Sequence, residues 1–381
     1  MALPLRLLLD PPWRIAADTL PVRGTPRPRE AVRIRLRDSL GNVGLGEALP
    51  LPGFSLDDAN IAWRALAAIA SCVAEGGGLA VPDVAAEAGL AGHPAAARLD
   101  AVLAPHAALL DGAPSARYAL ECALVDLLAR REGISAARWL ADGRALHKVP
   151  VSVLLPDDDG SAVAAAVAAV ERGHTVLKLK IARLDRTERE EDALLAALRC
   201  AIDAASAGRG IRPRLRLDAN GALAPGAVAG RFAALRADGV ELVEEPVAGA
   251  AQLSLPPLPL AWAADESLCD HRLAKALLAL PRERRPAALV LKPAHLGLAR
   301  CLILAEAAAR HDVALIVTHS FDGDLGHAGA CALAAALPSA PWPCGLAPHA
   351  GLRAALPAQA WLPVPDAPGL GEASAIASSM G

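Results

Sequence analysis

The chain has 381 residues, 54% of them hydrophobic and 21% charged, with a formal net charge of −3. That length exceeds one small core and favours two domains. A near-neutral balance with only six Trp, three Phe and one Tyr offers neither the basic field nor the stacking surface of a nucleic-acid binder.

The first segment, MALPLRLLLDPPWR, lacks a long apolar core and a cleavage site, so no leader is expected. The longest uncharged stretch, Leu325 to Leu352, is broken by Gly and Pro and is not expected to span a membrane. Seven cysteines without CxxC or Cys/His spacing read as buried thiols in a reducing compartment, not as a disulfide frame or a zinc site. A soluble, cytoplasmic protein is the expectation. Residues 1–145 read as an α+β domain. Ala31 to Leu36 alternates as a half-buried strand, and Asp38 to Asn42 reads as a hairpin turn. Helices are predicted over Asp57 to Glu75 and Ser115 to Arg131, with a Gly/Pro/Ala-rich stretch between them.

From Val149 a strand–helix rhythm begins. Strand-like runs appear at Val149–Leu155, Val176–Ile181, Arg214–Asn220, Glu241–Pro246, Leu260–Glu266, Ala288–Pro293, Ala314–Ser320 and, more briefly, near Cys344–Leu346. Eight such runs separated by alanine-rich helices predict a parallel (β/α) barrel over residues 146–350. An open doubly wound sheet would carry a glycine-rich phosphate loop after its first strand, and none is present. The tail, residues 351–381, is expected to return to the first domain. The fold class is therefore α/β, a modified (β/α) TIM-type barrel with an α+β capping domain.

Of the 38 basic residues only Lys148, Lys178, Lys180, Lys275 and Lys292 are lysine, and three of these lie in strand-like runs. Arginine stays charged, whereas lysine can be tuned to act as a base. In a (β/α) barrel, reactive groups collect at the carboxyl ends of the strands. Lys178 and Lys180 end the second run, Asp218 and Asn220 the third, Glu244 and Glu245 the fourth. Asp265 and Glu266 end the fifth, Lys292 the sixth, and Thr318, His319 and Ser320 the seventh. Converging carboxylates call for a cation, and all-oxygen donors suit Mg²⁺. Lys178 and Lys180, two apart on a strand, share a face, so one of them is expected to have a lowered pKa.

These motifs, KxK at Lys178–Lys180, DAN at Asp218–Asn220, EEP at Glu244–Pro246, ADES at Ala264–Ser267 and LKP at Leu291–Pro293, resemble the enolase superfamily in its muconate-lactonizing subgroup. The loop GEALPLPGFS, Gly46 to Ser55, is most similar to that of the o-succinylbenzoate synthases within it. The resemblance implies Mg²⁺ on Asp218, Glu244 and Asp265, with Lys180 as base and Lys178 and Lys292 stabilising charge. It implies a small-molecule carboxylate substrate that loses water to give o-succinylbenzoate on the menaquinone pathway, and it sets no oligomeric state. Gly53, Phe54, Ser55, Asn220, Thr318, His319 and Ser320 are the implied substrate contacts, with His319 either a contact or a packed bystander. The seventh strand departs from the family's run of small serines. This keeps open N-acylamino acid racemisation or dipeptide epimerisation, which would use Lys180 and Lys292 as a pair of bases.

Overall fold

The computed structural model describes residues 5–22, 25–77, 79–81, 93–156, 158–237, 239–349, 352, 361–363 and 366–371. The N-terminal part is an antiparallel sheet built on one long strand. β1 (Leu5–Leu9), β2 (Trp13–Val22), β3 (Thr25–Asp38) and β4 (Val43–Ala48) come first. β2 pairs with the first half of β3 and β1 with the second, while β4 lies along its other edge. The predicted turn closes with Asp38 N–H donating to Asn42 O at 3.1 Å. The side chain of Asp38 accepts from Leu40 and Asn42 N–H groups, which is why an Asp starts this turn.

α1 (Ala59–Cys72) is capped by Asp58, and β5 (Leu79–Val81) adds a short strand beside β1. The Gly/Pro/Ala-rich stretch between the two predicted helices contains two more, α2 (Pro94–Leu103) and the short α3 (Ala107–Leu110). Its central residues, 82–92, lie outside the described set. Pro94 occupies the first helical position, where its missing N–H costs nothing. Ala95, Leu99 and Val102 of α2 bury one face. α4 (Pro114–Glu132) is buried almost all round, ends at left-handed Gly133, and is followed by α5 (Ala136–Leu140).

The barrel follows. The run expected as a single strand at Val149–Leu155 divides into β6 (Lys148–Pro150) and β7 (Val153–Leu154). α6 (Asp159–Glu171), β8 (Val176–Lys180), α7 (Glu188–Ser206), β9 (Arg214–Asp218) and α8 (Val228–Ala237) come next. β10 (Val240–Glu244), β11 (Ala261–Ala264), α9 (His271–Leu278), β12 (Ala288–Leu291) and α10 (Pro293–Leu296) continue the alternation. α11 (Leu298–Ala309), β13 (Ala314–Val317) and α12 (Asp324–Ala336) complete it. β7 to β13 form one parallel sheet in chain order.

The eighth stave is not a regular strand. Single bridges join Val151 to Cys344 and Thr318 to Gly345, with Ser152 N–H donating to Cys344 O at 2.8 Å and Gly345 N–H to Val317 O at 2.9 Å. Pro343 and Pro348 have no N–H to donate, so a longer ladder cannot form there. Arg216, fully buried on β9, pins this stave by donating to Pro343 O at 2.8 Å. β14 (Trp361–Pro363) pairs antiparallel with β6. Farther on, Leu370 N–H donates to Asp126 of α4 at 2.8 Å. Gly369 also bridges to Ser135, and residues 351, 353–360, 364–365 and 372–381 of the expected tail lie outside the described residues.

Candidate active site

Each strand-end group is set by the strand behind it. In β8, Leu177 and Leu179 are fully buried, which leaves Lys178 and Lys180 on the other face. Lys178 Nζ donates to Glu244 Oε2 at 2.7 Å and lies 2.8 Å from Asp218 Oδ2. Lys292 follows β12, where its Nζ donates to Glu266 Oε1 at 2.6 Å and lies 2.7 Å from Asp265 Oδ2. Asp218, Glu244 and Asp265 are all buried, and an oxygen from each lies within 4.8 Å of the others. The structure therefore brings together six of the charged residues singled out by sequence, from β8 through β12.

The backbone supports this cluster. Asn220 takes a left-handed φ of 42°, which Asn tolerates, and its N–H donates to Asp218 Oδ1 at 3.0 Å. Gly221 follows at φ +75°, where a Cβ would press on Ala248. Glu245 accepts from Asp265 N–H at 2.7 Å, from Ser267 N–H at 3.0 Å and from the Ser267 hydroxyl, so the acid after Glu244 fixes the turn that carries Asp265.

Of the two lysines of β8, Lys178 is the one held as an ammonium group. Burial opposes its charge, but the Asp218, Glu244 and Asp265 carboxylates outweigh that and hold the ammonium well above the ordinary lysine range. Lys292 is raised likewise, against burial, by Asp265, Glu266 and Asp218. Asp218 is held low by the two ammonium groups despite its burial. Asp265 is pushed well up by burial and by the neighbouring Glu266 carboxylate. A buried acid with that penalty, whose Oδ1 accepts no hydrogen bond among the described residues, is a group short of positive charge. Four carboxylates (Asp218, Glu244, Asp265, Glu266) face two ammonium groups, which leaves the charge that one divalent cation would balance. The donors are all oxygen, so the residues fit Mg²⁺.

Lys180 Nζ lies 5.0 Å from the centroid of the Phe54 ring. Phe54 packs with Leu51 and Phe321, forming a small apolar cluster. Of the loop residues named by sequence, Gly53 is exposed at φ +80°. Ser55 uses its hydroxyl within the loop, accepting from Leu51 N–H at 2.8 Å. On the seventh strand, Thr318 donates its hydroxyl to Gly345 O at 3.1 Å, while the buried Ser320 hydroxyl has no partner among the described residues. Both nitrogens of His319 are taken by backbone: Nε2 lies 3.1 Å from Ala347 O, and Nδ1 accepts from Phe321 N–H at 3.0 Å. Burial and the nearby His327 and His349 rings hold His319 well below its usual pKa, so it is a neutral brace for this loop.

Sequence reasoning missed the residues that aim the seventh-strand loop. Arg29 of β3 donates to Phe321 O at 2.6 Å and to Leu49 O at 3.0 Å, joining that loop to the N-terminal sheet. Tyr118 of α4 donates to Gly326 O at 2.5 Å, holding the first turn of α12, which follows the loop. No spacing rule marks such partners. Phe321, in a left-handed conformation at φ 56°, could have been singled out only as a rare aromatic beside a strand end.

A parallel barrel with carboxylates on three adjacent strands and lysines on either side is an arrangement suited to acid–base chemistry beside a metal ion. Residues 161–374 match the family described as enolase C-terminal domain-like. The chain belongs to the enolase superfamily, in its muconate-lactonizing subgroup. It is similar to an o-succinylbenzoate synthase of Desulfotalea psychrophila, 30% identical over 290 residues, covering 72% of this chain and 73% of the relative. An o-succinylbenzoate synthase of Mycobacterium bovis is 33% identical over 202 residues, covering 52% of this chain. The match spans only 57% of that relative's length. Among solved structures, a dipeptide epimerase from Enterococcus faecalis superposes with TM-score 0.77 at 20% identity, covering 97% of this chain and 99% of its own. A muconate cycloisomerase from Pseudomonas fluorescens does so with TM-score 0.71 at 23% identity, covering 96% and 95%. Both likenesses establish the shared fold. No described helix is long and apolar enough to cross a membrane.

Proposed function

We propose that this chain is an o-succinylbenzoate synthase, a lyase that removes a proton next to a substrate carboxylate and expels water from the adjacent carbon. The observation that carries the proposal is the pairing of Lys178 and Lys292 across the Asp218–Glu244–Asp265 cluster, with Lys180 two residues beyond Lys178 on the same strand and against the Phe54 ring. Asp218, Glu244 and Asp265 would hold Mg²⁺, which when bound supplies positive charge to offset the dianion that develops as the α-proton leaves. Lys180 takes the proton. Lys178 and Lys292 face the developing charge as ammonium groups, consistent with the carboxylates that keep both protonated. Protonated Lys180 then returns its proton to the departing hydroxyl, and the product ring becomes aromatic. Phe54, Leu51 and Phe321 form the apolar cover that limits water at the base. The likeness to the synthases of Desulfotalea psychrophila and Mycobacterium bovis supports this reaction, and through it a place in menaquinone biosynthesis.

A second reading, racemisation of N-acylamino acids or epimerisation of dipeptides, is favoured by one observation: Lys180 and Lys292 come from β8 and β12, on opposite sides of the carboxylate cluster. One set of assays separates the two. Purified protein with Mg²⁺ is expected to consume the synthase substrate, to stop on addition of EDTA, and to lose about 10²–10⁴-fold in kcat in Lys180→Ala. Undiminished turnover after either treatment contradicts the mechanism. An inert synthase substrate beside rapid racemisation of N-succinylamino acids, with Lys292→Ala blocking exchange from one enantiomer alone, selects the second reading.

A further inference from the structure

The two lysines beside the carboxylate cluster are not equivalent. Both carboxylate partners of Lys178, Asp218 and Glu244, belong to the three acids that would hold a cation. Lys292 has one partner inside that set, Asp265, and one outside it, Glu266. The two contacts also differ in kind. The bond from Lys292 Nζ to Glu266 Oε1, 2.6 Å long, has hydrogen-bond geometry. The 2.7 Å approach to Asp265 Oδ2 is an ion pair to a carboxylate that a cation would also take.

Glu266 is itself anchored. Asn220 Nδ2 lies 3.4 Å from the same Oε1, linking the ends of β9 and β12 through one carboxylate. Its second oxygen, Oε2, is buried and without a partner among the described residues, although 39% of the side chain is exposed. Being adjacent in sequence to Asp265, Glu266 rides on the same turn, which Glu245 fixes from below.

An ammonium group and a divalent cation compete for one carboxylate. If Lys292 had only Asp265, cation binding would expel it from its wall or be weakened by it. We propose that Glu266 is a positioning residue for Lys292: it retains the ammonium group when a divalent cation takes Asp265, so that the lysine stays beside the cluster and the cation meets less competition. This rests on the cation-binding reading of the site but not on which substrate the enzyme uses.

The test is a calorimetric titration with Mg²⁺ alone, without substrate, on four proteins: the wild type, Glu266→Gln, Lys292→Ala and the double variant. Glu266→Gln is expected to weaken Mg²⁺ binding about tenfold when Lys292 is present, and by less than about twofold in the Lys292→Ala background, because the two side chains act as one unit. Glu266→Asp, which keeps the charge, should recover part of the affinity. Thermal melts establish that each variant is folded, and Glu266→Asp carries the same comparison if Glu266→Gln is not. Unchanged affinity in Glu266→Gln overturns the proposal. Equal weakening in both backgrounds also overturns it, by making Glu266 a ligand of the cation in its own right. Since no substrate enters the titration, a failed synthase assay would leave this result standing, and the reverse holds as well.

Discussion

Glu245 shows how a residue away from the reacting groups sets the site. At φ 39° its backbone is left-handed, a conformation costing a non-glycine residue about 1–2 kcal/mol. Burial pushes its carboxyl pKa up, against the hydrogen bonds from Ser267 and from Asp265 N–H. Those bonds hold the turn carrying Asp265 and Glu266. Glu245→Ala would leave two buried N–H groups unpaired, so a loss of about 2–4 kcal/mol is expected in urea unfolding, together with weaker Mg²⁺ binding. Equal stability in the two proteins would mean that the turn is held by other contacts. At this scale the lysines and acids were legible because each ends a strand within a short motif. The part played by His319 was not, because its Nε2 partner, Ala347 O, lies 28 residues away and presents only a backbone carbonyl.

Among the elements, β4 and α4 approach each other closely enough to exclude a side chain between them. A Cβ on Gly46 would overlap the Ala119 carbonyl oxygen, and one on Gly44 the Ala123 carbonyl oxygen and Leu127, so these strand glycines exist to let the backbones meet. Gly46→Ala should therefore cost about 1–3 kcal/mol by overpacking, read as a lowered thermal midpoint, while Mg²⁺ affinity stays within twofold because none of the cluster residues lies on either element. An unshifted midpoint would show that β4 can move off α4. The barrel strands from β8 to β13 were legible because each is an apolar run bounded by polar residues at its carboxyl end. β1 and β2 were not singled out: RLLL at the chain start is short, and β2 contains Pro21. α2 was obscured by its Gly/Pro-rich surroundings, although Pro94 ahead of Leu99, Val102 and Leu103 was a usable signal. The eighth stave was expected from the rhythm, but its prolines reduce it to bridges.

For the molecule as a whole, length and pattern indicated two regions, but not how they are joined. They meet around the seventh-strand loop and again at Glu121 of α4, which accepts from Leu298 N–H at the start of α11. Burial raises the Glu121 carboxyl from 4.5 to about 7, against the opposing effects of Arg117 and Leu298 N–H. Between those values the unfolded chain releases this proton and the folded chain keeps it, so this group's contribution to stability declines as pH rises through the window. Glu121→Gln has no proton to lose there. Relative to wild type, its stability should rise by about 3 kcal/mol from pH 4.5 to pH 7, measured by urea unfolding at several pH values. A difference that does not vary with pH would mean that Glu121 is charged in the folded protein.

The proposed function depends on one cation held between two lysines. Anomalous diffraction from crystals soaked in Mn²⁺, a spectroscopic substitute for Mg²⁺, tests this most directly. The account predicts a single strong peak within ligand distance of Asp218, Glu244 and Asp265, with Lys292 still paired to Glu266. A peak elsewhere, or none at those three carboxylates, would contradict it.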